Sequence, residues 1–262
     1  MRSASPVRLF RRTIPVLSLA FAYGCSDAPT PLEPRIDTRP HVLLAPEVIV
    51  SNTDDAGPGS LRQAIADAAD GSVIHFDASI AGQTIVLSSG KIDIDKALTI
   101  EGPVPAGMTI SGGLTQRMLL IRSTANVVVR NVSLVNGNDQ TASGGGGAFF
   151  VNGILLLDHV LLANNQVANG GGALFVKSSG QVTLVNSTVS GNFANRGGGI
   201  ESNGALTIWN STITNNVSLD GGGIHAGAGR VYLRNSIVAN NVDNDGAFGT
   251  YPNCFALPGV IV

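Results

Sequence analysis

The chain has 262 residues, enough for one or two ordinary domains, and its 16 basic and 18 acidic residues give a formal charge of −2, which argues against a general nucleic-acid binder. Hydrophobic residues make up 44% of the chain, charged residues only 13%, and there are 33 glycines. This composition excludes a disordered tail and a helical membrane bundle, and it favours a β-rich chain with many tight turns.

The first 24 residues have the features of a signal peptide. Residues 1–12 carry four arginines and no acidic residue, and residues 13–23 form an apolar run too short to span a bilayer as a helix. The run ends in Ala22-Tyr23-Gly24-Cys25, which resembles the lipobox of bacterial lipoproteins, whose cysteine is acylated. The resemblance implies export to the outer membrane or cell surface with a lipid anchor on Cys25. Ordinary secretion is the alternative.

A tether and a capping helix are predicted next. Residues 25–46 contain five prolines and predict an extended tether. Residues 47–71 predict a strand followed by a short helix over 60–69, because Ser60-Leu61-Arg62-Gln63 has the form of a capping box. The apolar face of this helix, which we expect to cover the N-terminal end of the following domain, consists of Leu61, Ala64, Ile65 and Ala68.

Residues 72–242 are dominated by an internal repeat of about 25 residues. Glycine triplets begin at Gly145, Gly170, Gly197 and Gly221. Each unit holds three short strand candidates and is too short for a crossover helix, so its apolar face can be buried only against copies of itself. The sequence therefore predicts an all-β fold, a right-handed parallel β-helix (solenoid) of about seven coils. Residues 243–262 are predicted to be a C-terminal tail, which we expect to be truncated or degenerate.

Alternation with period 2 predicts which side chains face the interior. The predicted interior pairs are Val127/Val129, Ile154/Leu156, Val182/Leu184, Leu206/Ile208 and Val231/Leu233, followed by Leu134, Leu161, Val189, Ile213 and Val238. Recurring asparagines at the corners are expected to adopt left-handed conformations and to stack as ladders. In this alignment Asp158 takes a corner position, and His159 points inward as a hydrogen-bonded interior residue.

The residues of the helix and the repeats resemble those of a known group of proteins. The segment from Gly57 to Ile65 is similar to the Cys-Ser-Leu-Arg-Glu-Ala-Ile motif of bacterial surface right-handed parallel β-helix proteins, with Gly59 in place of Cys and Gln63 in place of Glu. The later Gly-Gly-Ala units resemble polymorphic outer-membrane-protein repeats and the pectin-lyase-like superfamily. These families include adhesin-like proteins and polysaccharide-degrading enzymes, so the resemblance is specific for architecture rather than activity.

The resemblance to lyases and hydrolases directs attention to acidic residues. Enzymes of this fold use clustered carboxylates, with Ca²⁺ in the lyases. The candidates here are Glu201 beside His225 and Arg196 beside Asp220, which occupy equivalent positions of successive units. We predict an exposed ion-pair ladder as the main interpretation and an acid–base dyad as the alternative. No metal site and no resident cofactor are predicted, with Ca²⁺ as the alternative that the lyase resemblance implies.

A second candidate site is an outward-facing strip with an unusually apolar character. It could stack sugar rings or bind a partner protein, and the alternative is that the tether or the tail covers it. We expect a cation–π contact between Trp209 and Arg234. The strip residues predicted to contact a ligand or partner are Trp209, Tyr232, Arg234, Leu157 and Arg130.

Taken together, these features predict a non-catalytic, exported surface protein, anchored in a membrane through a lipid on Cys25, that acts in surface display, adhesion or contact with a polysaccharide or protein partner. A polysaccharide lyase or glycoside hydrolase is the first alternative. A degenerate fragment without independent activity is the second alternative. No nucleic-acid partner is predicted.

Overall fold

The computed structural model describes residues 45–141, 144–244 and 251–256. The predicted signal peptide, Cys25 and all but the end of the predicted tether lie outside these residues, as does much of the predicted tail. Within the described part of the chain, no helix has both the length and the apolar character needed to cross a membrane.

The first half of the described chain contains one short α-helix, one 3₁₀ turn (Ala78–Ile80) and a series of short strands. These are β1 (Glu47–Val50), α1 (Leu61–Asp67), β2 (Ser72–Phe76), β3 (Thr84–Val86), β4 (Ile92–Ile94), β5 (Leu98–Glu101), β6 (Met108–Ser111), β7 (Leu119–Ile121), β8 (Asn126–Arg130), β9 (Val132–Val135), β10 (Asn138–Asp139), β11 (Phe149–Val151), β12 (Ile154–Asp158), β13 (Leu161–Ala163) and β14 (Gln166–Val167).

The second half repeats the same pattern with strands of two to five residues. These are β15 (Leu174–Val176), β16 (Gln181–Val185), β17 (Thr188–Ser190), β18 (Phe193–Arg196), β19 (Ile200–Ser202), β20 (Ala205–Trp209), β21 (Thr212–Thr214), β22 (Val217–Asp220), β23 (Ile224–Ala226), β24 (Arg230–Arg234), β25 (Ile237–Ala239), β26 (Val242–Asp243) and β27 (Cys254–Ala256).

These strands form four parallel sheets that run along a solenoid. Sheet A is β1-β2-β5-β8-β12-β16-β20-β24, sheet B is β3-β6-β9-β13-β17-β21-β25, sheet C is β4-β7-β11-β15-β19-β23-β27, and sheet D is β10-β14-β18-β22-β26. The all-β parallel solenoid is confirmed. The eight strands of sheet A correspond to about eight coils rather than about seven, and sheet D adds a fourth short strand where the repeat predicted three.

The core is one continuous apolar cluster inside the coils. Helix α1 joins it through the predicted face, with Leu61, Ala64, Ile65 and Ala68 all buried. The N-cap is Ser60, whose side-chain oxygen accepts a hydrogen bond from the Gln63 N–H at 3.2 Å. The capping box is only half formed, because the Gln63 side chain donates to Asp67 instead of reaching back to Ser60.

In the five coils from β8–β9 to β24–β25, the corner between sheets A and B contains a single residue in the left-handed conformation. Asparagine takes this position in four of the five, since its short side chain tolerates a positive φ. The corner residues are Asn131, His159, Asn186, Asn210 and Asn235, with φ between 48° and 54°. The predicted left-handed asparagine corners are therefore confirmed, but in one coil the corner residue is His159 and not Asp158.

A second set of asparagines is buried and forms a ladder through the coils. Asn192 is typical of the set: its Oδ1 accepts from the backbone N–H and the Nδ2 of Asn165, both at 2.9 Å, and its Nδ2 donates to Asn216 Oδ1 at 2.8 Å. Members of this ladder are Asn165, Asn192, Asn216 and Asn241. The corner asparagines and the ladder asparagines are thus different residues, and the ladder uses Asn165 rather than its exposed neighbour Asn164.

The predicted interior pairs are buried except in the coil that contains β12 and in the coil of β24, where Val231 is buried but Leu233 is 36% exposed. Strand β12 pairs Leu155 with Val127 and Leu157 with Val129, and both leucines are buried. The predicted interior residue Ile154 is 44% exposed. The same one-residue shift places Leu162 inside in place of Leu161 and turns His159 outward. The shift arises because the corner of this coil is His159, one position later than the alignment of Asp158 with asparagine had assumed.

Candidate functional site

Sheets C and D bring the four candidate acid–base residues together. Strands β19 and β23 place Glu201 directly opposite His225, and strands β18 and β22 place Arg196 opposite Asp220. The Nε2 atom of His225 lies 3.3 Å from Oδ2 of Asp220. The four residues therefore form one cluster on two neighbouring coils, in the register that the glycine triplets predicted.

Only half of this cluster is open to solvent. Arg196 is exposed and Asp220 is partly exposed, whereas Glu201 is 3% and His225 is 4% exposed. The backbone around Gly170 covers the carboxylate of Glu201, since a Cβ atom on that glycine would lie 2.6 Å from Glu201 Oε2. On the other side, the ring of Phe255 stacks on His225 with centroids 5.0 Å apart. The prediction of exposure is wrong for Glu201 and His225, because alternation describes a strand and not the loops that pack over it.

The charge state of the cluster follows from this burial. Desolvation lowers the pKa of His225 below its ordinary value, although the nearby carboxylates of Glu201 and Asp220 act in the opposite direction. The imidazole is therefore neutral near pH 7. Within the described residues, Glu201 Oε2 and His225 Nδ1 have no hydrogen-bond partner. A buried carboxylate beside a neutral imidazole can hold or exchange a proton, but a polymer must reach the pair before such an exchange can serve catalysis.

The outer face of sheet A carries the second candidate site, and its register corrects one predicted residue. Leu157 is fully buried, and the outward residues of that coil are Leu156 and Asp158. The five-residue row of the strip therefore consists of Arg130, Asp158, Val185, Trp209 and Arg234. The neighbouring row consists of Val128, Leu156, Thr183, Thr207 and Tyr232.

The strip combines aromatic surface with charge. The guanidinium of Arg234 lies 5.8 Å from the centroid of the Trp209 ring, so the expected cation–π contact is present. Trp209 and Tyr232 are half-buried and Arg234 is exposed. At the other end of the row, Arg130 Nε lies 3.8 Å from Asp158 Oδ2. Solvent can therefore reach an aromatic surface bounded by charged side chains.

Sequence reasoning missed an aromatic cluster on the outer face of sheet C. The rings of Phe150 and Phe175 meet edge to face at 5.2 Å. The Arg117 guanidinium lies 4.5 Å above Phe150, and Lys177 Nζ lies within 6 Å of both rings. The signal was available, because each of these phenylalanines stands at the outward position of the first strand after a glycine triplet.

The described residues bear only in part on the predictions about metal ions and lipidation. No group of three or more histidine, cysteine or acidic side chains suited to a metal ion occurs among the residues that the structure describes. Cys25 lies outside the described residues. Cys254 has a free thiol, and burial raises its pKa.

Comparison with known proteins agrees with this architecture. Residues 106–253, more than half of the chain, match the family described as a right handed beta helix region. Neither the curated proteins nor the solved structures contain a match to the chain. The match supports the right-handed solenoid and the likeness to the pectin-lyase-like superfamily, whereas the likeness to a particular group of bacterial surface proteins stays a prediction.

Proposed function

Since this chain belongs to the right-handed β-helix family, we propose that it is a non-catalytic surface protein whose outer sheet A face contacts a glycan. A single contrast carries the proposal. The aromatic and charged residues of the strip on sheet A are exposed or half-buried, so solvent reaches them, whereas the proton-transfer candidates Glu201 and His225 are buried.

The chemistry of the strip suits a sugar chain. A parallel sheet repeats every ~4.8 Å, so its outer face presents a regular row of side chains to an extended polymer. The ring of Trp209 supplies an apolar surface on which the C–H face of a sugar can stack. Arg130 and Arg234 stand at the two ends of its row and can donate hydrogen bonds to sugar hydroxyl groups or carboxylates.

Catalysis is less well supported by the same structure. A general acid or base must approach the reacting atom to within roughly 2.6–3.2 Å. The carboxylate of Glu201 and the imidazole of His225 are covered by the Gly170 backbone and by Phe255. A polysaccharide could reach them only after one of these covers had moved.

The cellular part of the proposal rests on the N-terminal sequence. The arginine-rich start, the apolar run and the Gly24-Cys25 pair support export with a lipid anchor on Cys25. In a bacterial host, metabolic labelling with a palmitate analogue should mark the wild-type chain and leave Cys25→Ala unlabelled. Labelling of both chains, or of neither, would contradict the anchor.

The binding proposal is tested with purified mature protein and a panel of neutral and acidic polysaccharides, with and without Ca²⁺. We expect binding without chain shortening, and we expect Trp209→Ala to weaken it at least tenfold. Phe193→Ala is the matched control, because Phe193 is 39% exposed on sheet D, away from the strip. Equal weakening by both variants, or no binding to any polysaccharide, would reject the strip as a glycan site.

A polysaccharide lyase or hydrolase is the second candidate function. It is favoured by one observation, the meeting of Glu201, His225, Asp220 and Arg196 on two coils. The same assay separates the two functions. Chain shortening that is lost in Glu201→Gln and enhanced in Phe255→Ala, which uncovers His225, would make this protein an enzyme.

A further inference from the structure

The coil that contains β12 departs from the repeat at its corner. The other A–B corners described above are asparagines, whereas this one is His159 with φ +53°. The left-handed conformation does not require this exchange, since asparagine is among the non-glycine residues that adopt it most readily. The preceding residue differs as well, because Asp158 stands where adjacent coils have Arg130 and Val185. At this corner, therefore, an aspartate and a histidine, both of which can take part in proton transfer, replace the residues found in the other coils.

These two residues form an oriented pair. His159 Nδ1 lies 2.7 Å from Asp158 Oδ1, which also accepts a hydrogen bond from Asn186 Nδ2 at 3.1 Å. A carboxylate only accepts hydrogen bonds, so the proton of a neutral imidazole is held on Nδ1. The Nε2 atom is then left as a hydrogen-bond acceptor. Arg130, with Nε 3.8 Å from Asp158 Oδ2, provides a counter-charge for the carboxylate.

The imidazole stands at the edge of a surface cleft. The cleft has a volume of about 450 Å³, within the range of small-molecule sites, and the His159 side chain is 61% exposed there. Its walls come from three coils and the 103–107 loop. They are lined by Pro103, Val104, Pro105, Gly107, Asn131, Val132, Ser133, His159, Val160, Leu161, Asn186 and Thr188.

The lining restricts the ligand chemistry. His159 is the only ionisable side chain of the lining, so the walls offer no fixed charge to balance an ionic ligand. The lining includes exposed apolar surface, with Val104 75% and Leu161 36% exposed. Hydroxyl groups border this surface, because Leu161 lies between Ser133 and Thr188 in the register of sheet B, and Asn186 adds an amide. Apolar surface bordered by neutral hydrogen-bonding groups matches a sugar ring, which has a C–H face and a hydroxyl edge.

We propose that this cleft binds a neutral sugar unit whose hydroxyl group donates a hydrogen bond to Nε2 of His159. Asp158 is the positioning residue that keeps the proton on Nδ1. Asn131 and Asn186 occupy the corners on either side of His159 and also line the cleft. Their side-chain amides can donate hydrogen bonds to further sugar hydroxyl groups and accept hydrogen bonds from them. This site adjoins the strip on sheet A, because Asp158 and Arg130 belong to the strip, but Trp209 does not line the cleft.

The repeat itself supplies the variants for a test. His159→Asn restores the corner residue of the other coils, so it removes the imidazole without disturbing the backbone. Asp158→Asn removes the obligate acceptor of the Nδ1 proton. Asn186→His introduces an imidazole at the adjacent corner, where Val185 rather than an acid precedes it. In the background of His159→Asn, this change gives a matched control for histidine without its positioning residue.

The measurement is titration of the purified chain with cellohexaose, mannohexaose and xylohexaose, followed by NMR of ¹⁵N-labelled histidine. We expect the free protein to show the Nδ1–H tautomer of His159 and at least one hexaose to shift its Nε2 resonance. We expect binding to weaken about tenfold in His159→Asn, which corresponds to the loss of roughly one hydrogen bond. Asp158→Asn should weaken it several-fold, and Asn186→His should not restore it.

Two results would overturn the proposal. The first is that none of the three hexaoses perturbs the His159 resonances. The second is that binding persists unchanged in His159→Asn with an unchanged melting temperature. Trp209→Ala distinguishes this site from the proposed function, because it should leave the His159 response intact. Hexaose binding that is lost in Trp209→Ala and retained in His159→Asn would support the strip alone.

Discussion

Glu201 and His225 face each other across two adjacent parallel strands on the outer side of sheet C, yet neither is open to solvent. A side chain that points outward from a β-helix is usually exposed to solvent. Here the glycine backbone at Gly170 and the ring of Phe255 cover it. The burial has a consequence for stability, because it lowers the pKa of His225 in the folded protein.

We expect the free energy of unfolding to decrease as the pH falls below about 6.5, the ordinary pKa of histidine in an unfolded chain. Below that pH the unfolded state binds a proton that folded His225 does not, and the loss reaches at most ~1.4 kcal/mol per pH unit until the lowered folded pKa is passed. Urea denaturation at pH 7.5, 6.5 and 5.5 measures the free energy of unfolding at each pH. Its dependence on pH should be weaker in His225→Gln and unchanged in His159→Asn. An equal pH dependence in the wild-type protein and both variants would contradict the prediction.

The buried asparagine ladder should make a large contribution to stability. The Asn192→Ala variant removes the side-chain amide of Asn192. Asn165, Asn216 and Leu162 then each lose a buried hydrogen bond to that amide. We expect a loss of about 3 kcal/mol in the free energy of unfolding. Asn195→Ala, at an exposed asparagine of the same coil, should change it by about 0.5 kcal/mol or less. Chemical denaturation compares the two, and similar losses would argue against the ladder.

The glycine triplets should be intolerant of a side chain where coils approach closely. A Cβ atom on Gly171, at φ +39°, would lie 1.9 Å from the Leu174 carbonyl oxygen of its own coil and 2.7 Å from the Glu201 nitrogen of the next coil. We expect Gly171→Ala to cost about 4 kcal/mol or more. Gly71→Ala is the control, since Gly71 also has a positive φ but no atom lies within 4 Å of its added Cβ, so only the ~1–2 kcal/mol of left-handed strain applies. Thermal melts of the two variants should differ clearly; matching melts would mean that the backbone relaxes.

The register of β12 can be tested by truncating neighbouring leucines. Leu157 is fully buried, whereas Leu156 points outward and is half-buried. We expect Leu157→Ala to cost about 2–5 kcal/mol. Leu156→Ala should cost less than about 1 kcal/mol. Urea denaturation measures both losses. A larger loss in Leu156→Ala than in Leu157→Ala would support the register that places Leu156 inside.

That coil also shows where sequence reasoning reaches its limit. The repeat aligned Asp158 with the corner asparagines because both residue types favour turns. Strands alternate with period 2, so this one-residue error exchanged the inner and outer faces of the coil and assigned Leu157 to the surface. Elsewhere the alignment had asparagine at the corner, and the predicted interior pairs, such as Val182 and Leu184, are buried, apart from Leu233 in the coil of β24.

The glycine spacing and the alternation of apolar residues determined by themselves that this chain forms a parallel β-solenoid, because a short unit with one apolar face can be buried only against its copies. Only the tertiary structure decided which outward residues meet solvent. The burial of Glu201, the separation of corner from ladder asparagines and the pairing of Asp158 with His159 beside a cleft all depend on contacts between residues distant in sequence. Periodicity describes one coil at a time, and such contacts arise only when loops from neighbouring coils pack together.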